Sequence, residues 1–191
     1  MSVFCDNDKL TYFKAIHSNI TQAEIWFNDG NKQGTTKELL NLVNLAIKVP
    51  DLYAMKLCYM TIGFSSELFK EYDDAVHFYQ KFRDASETAR DYLSWCFAYY
   101  KLAKIYMIQM QYKYGLRCFK LMLQYSWICN NIDYEIKSYE GIAKWYFYLK
   151  ELRKSKFYHD RSLRGNTEPE SSIIRKYVTK RYVNKFYTPL L

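Results

Sequence analysis

The chain has 191 residues and a mass of 23.1 kDa, the size of one ordinary domain. Hydrophobic residues make up 49% of it, with only 6 glycines and 3 prolines, which excludes wholesale disorder, a collagen and a turn-rich all-β protein. The net charge of +8 is uneven, −3 over residues 1–95 and +11 over residues 96–191, and a basic half of this kind suits an acidic partner: a protein segment, nucleic acid or an anionic surface.

Met1 to Asp8 lacks a basic stretch followed by an apolar one, so no secretory leader is expected. Apolar periodicity then predicts helices in pairs, with no need for a strand: 8–28 with 35–49, 51–70 with 73–87, 91–110 with 113–129, and 133–150 with 153–164. A last helix is predicted over 171–187, started by Ser171 or Ser172. In the first copy, Asn28-Asp29-Gly30 and Gly34 interrupt the pattern, and Thr35-Thr36-Lys37-Glu38 reads as a capping box. Pro50-Asp51 separates the first copy from the second, Asn130 to Asp133 the third from the fourth, and Gly165 to Pro169 ends the last pair. Gly63 and Gly141 lie inside predicted helices, each at a cost of up to about 1 kcal/mol relative to alanine. Close packing at a small-residue position accounts for Gly63; no such reason is visible for Gly141. The longest uncharged run, Leu121 to Ile132, is too short to span a bilayer.

The copies repeat at a spacing of 40 residues. Small residues recur at Ala23, Gly63, Ala103 and Ala143, tyrosines at Tyr59, Tyr99 and Tyr139, and branched residues at Ile62, Leu102 and Ile142. A second small position recurs at Ala75, Gly115 and Ser155, followed four residues later by Tyr79, Phe119 and His159. Tyr99, Leu102, Ala103 and Tyr106 form an i, i+3, i+4, i+7 stripe, repeated by Tyr139, Ile142, Ala143 and Tyr146. Twelve residues separate the two small positions of a copy, one on each of two adjacent helices, where a small side chain lets backbones approach.

This pattern resembles the tetratricopeptide repeat over roughly residues 20–165, most closely over 96–129. The usual period is about 34 residues, so 40 implies longer helices or loops, and the proline that commonly ends a repeat is missing. The resemblance implies an all-α fold: a right-handed superhelix, or α-solenoid, of about four antiparallel helix pairs. The first helix of each pair then lines a concave face, and a capping helix closes the stack. Residues 1–170 would form the repeat domain and 171–191 a basic C-terminal capping helix and tail. In that tail Arg175, Lys176, Lys180, Arg181 and Lys185 face outward, as a cap or as a tether to an acidic surface.

No catalytic constellation emerges. His17, His77 and His159 show no metal-ligand spacing, and there is no Cys-x-x-Cys, no Gly-rich phosphate loop and no Gly-x-Ser-x-Gly elbow. No enzyme activity, cofactor or metal is expected. The five cysteines are odd in number and scattered, which reads as reduced thiols. Cys96, Cys118 and Cys129 read as small core side chains, and His159 as a core or half-buried packing residue.

Binding is the expected role. Phe64, Tyr100, Lys104, Met107, Lys137, Glu140, Lys144 and Phe147 fall off the packing stripes, and the resemblance places them on the concave face. The asparagines and leading lysine with which some tetratricopeptide proteins grip a C-terminal carboxylate are absent: those positions carry Ile20 and Glu24, Met60 and Phe64, Tyr100 and Lys104, Glu140 and Lys144. The expected ligand is an extended or helical peptide with acidic and apolar residues. The expected role is a non-catalytic protein–protein interaction scaffold or adaptor, a structural subunit of a larger cytoplasmic assembly. A cytoskeletal or ciliary complex is one setting for such a protein. The alternative is an RNA-binding or ribonucleoprotein component, using the basic half and its aromatics.

Overall fold

A computed structural model describes residues 6–48 and 52–164. The predicted segment 171–187, its basic residues, the boundary at 170 and Pro50-Asp51 lie outside the described residues. Among the described residues the fold is all-α: eight helices and no strand. The chain divides into two compact units, Met1–Ala89 and Arg90–Leu191. The first holds α1 (Asp6–Asn28), α2 (Lys32–Lys48), α3 (Leu52–Leu68) and α4 (Tyr72–Thr88). The second holds α5 (Tyr92–Ile108), α6 (Tyr112–Ile128), α7 (Ile132–Tyr148) and α8 (Leu152–Arg164). Within each unit every helix packs against its neighbour in the chain, as in a helical repeat.

Each helix from α3 onward starts 20 residues after the one before it, so the 40-residue repeat is two helices with three-residue connections. The described turns share one conformation. Lys70, Arg90, Met110, Asn130 and Lys150 all have φ between 51° and 61°, and Gly30 has φ 71°. The residue after the left-handed one folds its N–H back to a carbonyl five residues earlier: Asn31 to Trp26, Glu71 to Ser66, Gln111 to Tyr106, Asn131 to Ser126 and Glu151 to Tyr146. This is the Schellman arrangement, which satisfies carbonyls orphaned at a helix end. It favours glycine, yet only the first of these turns has one. Met110→Gly is therefore expected to stabilise the protein by about 0.5–1 kcal/mol, by removing the left-handed strain of a side chain that is 63% exposed. A urea midpoint that stays put or falls would show that this turn stores no strain.

The next residue often caps the following helix. Asn31, Asp91 and Asn131 accept hydrogen bonds from the backbone N–H of Gly34, Ser94 and Tyr134. The expected capping box at Thr35 is thus displaced: Asn31 does the capping, and Thr35 lies inside α2, its hydroxyl donating to the Asn31 carbonyl. Gly34 does not break a helix either. It lies within α2, where a Cβ would overlap the Trp26 ring of α1.

The repeat positions form the core. Ala23, Gly63, Ala103 and Ala143 are all buried, as are Tyr59, Tyr139, Ile62, Leu102 and Ile142. In the last copy the two small positions touch, the Ser155 hydroxyl donating to the Ala143 carbonyl at 2.9 Å. A Cβ on Gly63 would come within 3.0 Å of the Tyr79 ring. Gly141 has a similar reason, invisible in the sequence: the Phe119 ring of α6 occupies the space of its missing side chain. Reciprocally, Trp145 of α7 occupies the space left by Gly115 of α6. Two rings seated on two glycines thus mesh α6 with α7 as an antiparallel pair, and α6 is joined to α5 by Tyr125 stacked on Tyr99 at 5.7 Å and packed on Trp95 at 4.4 Å.

Candidate functional site

On α5, Tyr100, Lys104 and Met107 follow one another at i, i+4 and i+7; on α7, Lys137, Glu140, Lys144 and Phe147 follow at i, i+3, i+7 and i+10. Helical periodicity places each set along one stripe. The two stripes line one groove of about 630 Å³ in the second unit. Phe119, seated on Gly141, lies at its base, and Ser155 and His159 of α8 complete its lining.

The lining is cationic and aromatic. The Lys104 and Lys137 ammonium groups lie 5.6 and 5.7 Å from the centre of the Tyr100 ring, and Lys137 lies 5.5 Å from that of Tyr134. With Lys144 they supply three positive charges against the single carboxylate of Glu140. Lys104, Lys137, Glu140 and Lys144 are exposed at the mouth, and Phe147 is 60% exposed; Tyr100 and Met107 are half-buried. Behind this wall the Tyr134 phenol is pushed above its usual range by burial, and further by the neighbouring Cys96 and Cys129.

Seven of the eight residues expected to meet a partner are thus brought together. Phe64 is not among them. It lies on α3 in the first unit, 48% exposed, and lines a separate apolar cavity of about 350 Å³ with Ile20, Phe27, Leu39 and Leu68. Shifted by 80 residues, Ile20, Phe27, Leu39 and Phe64 correspond to Tyr100, Met107, Phe119 and Lys144. Equivalent places in the two units therefore carry an apolar lining in one and a cationic lining in the other.

His159 corrects a further expectation. It stands where Tyr79 and Phe119 are buried in the preceding copies, but it is exposed and borders the groove. The physical reason is that α8 meets α7 through Ser155, which donates to the Ala143 carbonyl, and Tyr158, which stacks on Tyr146, and His159 is left beside that contact. The sequence reading missed Phe119, Ser155 and His159 as groove residues because their positions in the repeat marked them as packing, and Gly141 because no role for it is visible in the sequence.

Among the described residues no group of three or more His, Cys, Asp or Glu side chains is gathered to hold a metal ion. No described helix is long and apolar enough to cross a membrane. Comparison with known proteins finds no family model and no curated protein that matches the chain.

Proposed function

We propose that the chain is a non-catalytic scaffold whose second unit holds an acidic, apolar-bearing segment of another protein in the groove between α5 and α7. The observation that carries this reading is the convergence of Lys104, Lys137 and Lys144 with Tyr100, Met107 and Phe147 on one open surface. Ammonium groups at the mouth attract carboxylates, while the half-buried rings and thioether take apolar side chains. The resemblance to the tetratricopeptide repeat points the same way. So does the use of most aromatics in packing, as in the stacking of Tyr146 on Tyr158 and Tyr99 on Tyr125; such rings are not offered to nucleic-acid bases. The scaffold reading extends to membership of a larger cytoplasmic assembly of the cytoskeletal or ciliary kind, for which the support is the type of repeat alone.

The test is a fluorescence titration with a short peptide alternating glutamate with leucine, and with its lysine-for-glutamate counterpart. The acidic peptide should bind, weaken as salt is raised, and lose more than about tenfold in affinity to the Lys104→Glu, Lys144→Glu double variant, with helical circular dichroism unchanged. Equal binding of both peptides, or undiminished binding by the variant, would remove the groove as the contact. Affinity purification followed by mass spectrometry tests the assembly: recovery of the chain without stoichiometric protein partners would refute the scaffold reading.

A further inference from the structure

We propose that the segment held by the second unit is an α-helix lying antiparallel to α5 and α7. Its groove-facing stripe carries an apolar residue, then an acid at i+3, a base at i+7 and a second acid at i+10. The proposal rests on the groove reading above and adds the ligand's conformation, direction and residue order. Trp95 of α5 packs on Tyr125 of α6, and Tyr106 on Tyr114, so these two helices run in opposite directions. The seating of Trp145 on Gly115 and of Phe119 on Gly141 shows the same for α6 and α7. Helices α5 and α7 therefore run the same way, and equivalent positions of the repeat stand at one level of the groove.

Met107 and Phe147 stand at the first level, in the last turns of their helices, and offer an apolar seat. Lys104 and Lys144 stand at the second, one exposed cation from each wall. Glu140 occupies the third level beside Tyr100, and Lys137 the fourth. The Lys137 ammonium reaches across to the Tyr100 ring at 5.7 Å, the same ring that Lys104 approaches at 5.6 Å. The character along the groove is thus apolar, positive, negative, positive. A complementary stripe reads apolar, acid, base, acid.

Spacing decides the conformation. On α7 the four levels are Phe147, Lys144, Glu140 and Lys137, at intervals of three, four and three residues. At a rise of about 1.5 Å per residue they span about 15 Å. A second helix alongside presents one face at the same intervals, so its four side chains keep step with the four levels. An extended chain turns every second residue to one side, about 6.6 Å apart, so four such side chains span about 20 Å and lose the register. The helix termini decide the direction. An antiparallel ligand sets its partly negative C-terminal end beside Lys137 and its partly positive N-terminal end beside the C-terminal ends of α5 and α7; a parallel one reverses both contacts. The acid at i+3 and the base at i+7 also form the favourable acid-first pair, four apart, within the ligand helix itself.

The full chain is titrated with labelled peptides of about 15 residues on an alanine–glutamine host, long enough to be marginally helical alone. One carries Leu, Glu, Lys and Glu in the proposed order and spacing; a second carries the same four residues in reverse; a third is the alternating glutamate–leucine peptide. The first should bind more than about tenfold tighter than either of the others and be helical when bound, by difference circular dichroism. Glu140→Lys, at an exposed position, should weaken that peptide about tenfold and restore binding when the peptide's own lysine is replaced by glutamate. Equal binding of the forward and reversed peptides, both lost in the Lys104→Glu, Lys144→Glu variant, would overturn the residue order while the acidic-segment reading stands. Tighter binding of the alternating peptide, or a bound peptide without helix, would overturn the conformation. No binding of any acidic peptide would remove both readings. Displacement of the forward peptide by single-stranded RNA at lower concentration than by unlabelled peptide would give the groove to nucleic acid and overturn the proposal.

Discussion

Gly115→Ala is expected to destabilise the protein by about 3 kcal/mol, although alanine is intrinsically the better helix former by about 1 kcal/mol. The reason is the Trp145 ring, which fills the space a Cβ would need. Trp145 has no exposed surface, and Tyr112 packs edge-on against it at 5.2 Å, so the ring has nowhere to withdraw. Trp145→Ala should itself cost about 3–5 kcal/mol, because it empties a packed site. The decisive measurement is the double variant. With the indole gone, the new methyl at 115 enters vacated space, so the combined loss should fall short of the sum of the single losses by about 1–3 kcal/mol. Urea unfolding followed by circular dichroism measures all four forms. Strictly additive losses would mean that the ring and the glycine do not share one site.

Alkaline instability of the first unit is the second large expected effect. Tyr79 has no exposed surface; burial pushes its phenol well above the usual range, and Glu67, which accepts its hydroxyl at 2.8 Å, pushes it further. Burial likewise pushes the Cys58 thiol up to about 11, where its sulfur lies 3.6 Å from the Leu42 carbonyl of α2. Both groups are acids whose folded form holds the proton more tightly than the unfolded chain does. Their contribution is fully present below the unfolded values and is lost as pH rises through them towards the folded ones. From unfolded values near 9 for the thiol and 10 for the phenol, the two together should remove about 3–4 kcal/mol of stability by about pH 11. Denaturation at pH 8 and at about pH 11 should show a loss smaller by about this amount in the Tyr79→Phe, Cys58→Ala double variant than in the unaltered protein. An equal pH dependence in both would place the titrating groups elsewhere.

The helical class and the repeat were legible because they are local. A 3.6-residue period shows in any stripe such as Tyr99, Leu102, Ala103 and Tyr106, and the 40-residue register shows in Ala23, Gly63, Ala103 and Ala143. The predicted helix ends lie within a few residues of those observed, and they erred where punctuation was sought in the wrong residues. Gly34 was read as a break and is a seat for Trp26, whereas the turns at Lys70, Arg90, Met110 and Lys150 carry no residue that announces a left-handed conformation. At Lys70, Met110 and Lys150 the reversal is imposed from outside, by helices of one unit that pack back along each other within three residues.

The groove was half legible. The stripes of Tyr100, Lys104 and Met107 and of Lys137, Glu140, Lys144 and Phe147 follow from helical spacing, so each could be placed on a face from the sequence alone. That the two faces oppose each other, that Phe119 lies at the base between them, and that Phe64 belongs to another cavity follow from how α5, α6 and α7 lie together in one unit.

By itself the sequence determined the all-α class, the helix-pair repeat and the polar or apolar character of every helix face, since these depend on residues a few positions apart. The tertiary structure alone decided which rings occupy which glycines and where a cationic groove opens. Those outcomes depend on side chains from different helices competing for the same volume, and that volume exists only once the helices have packed.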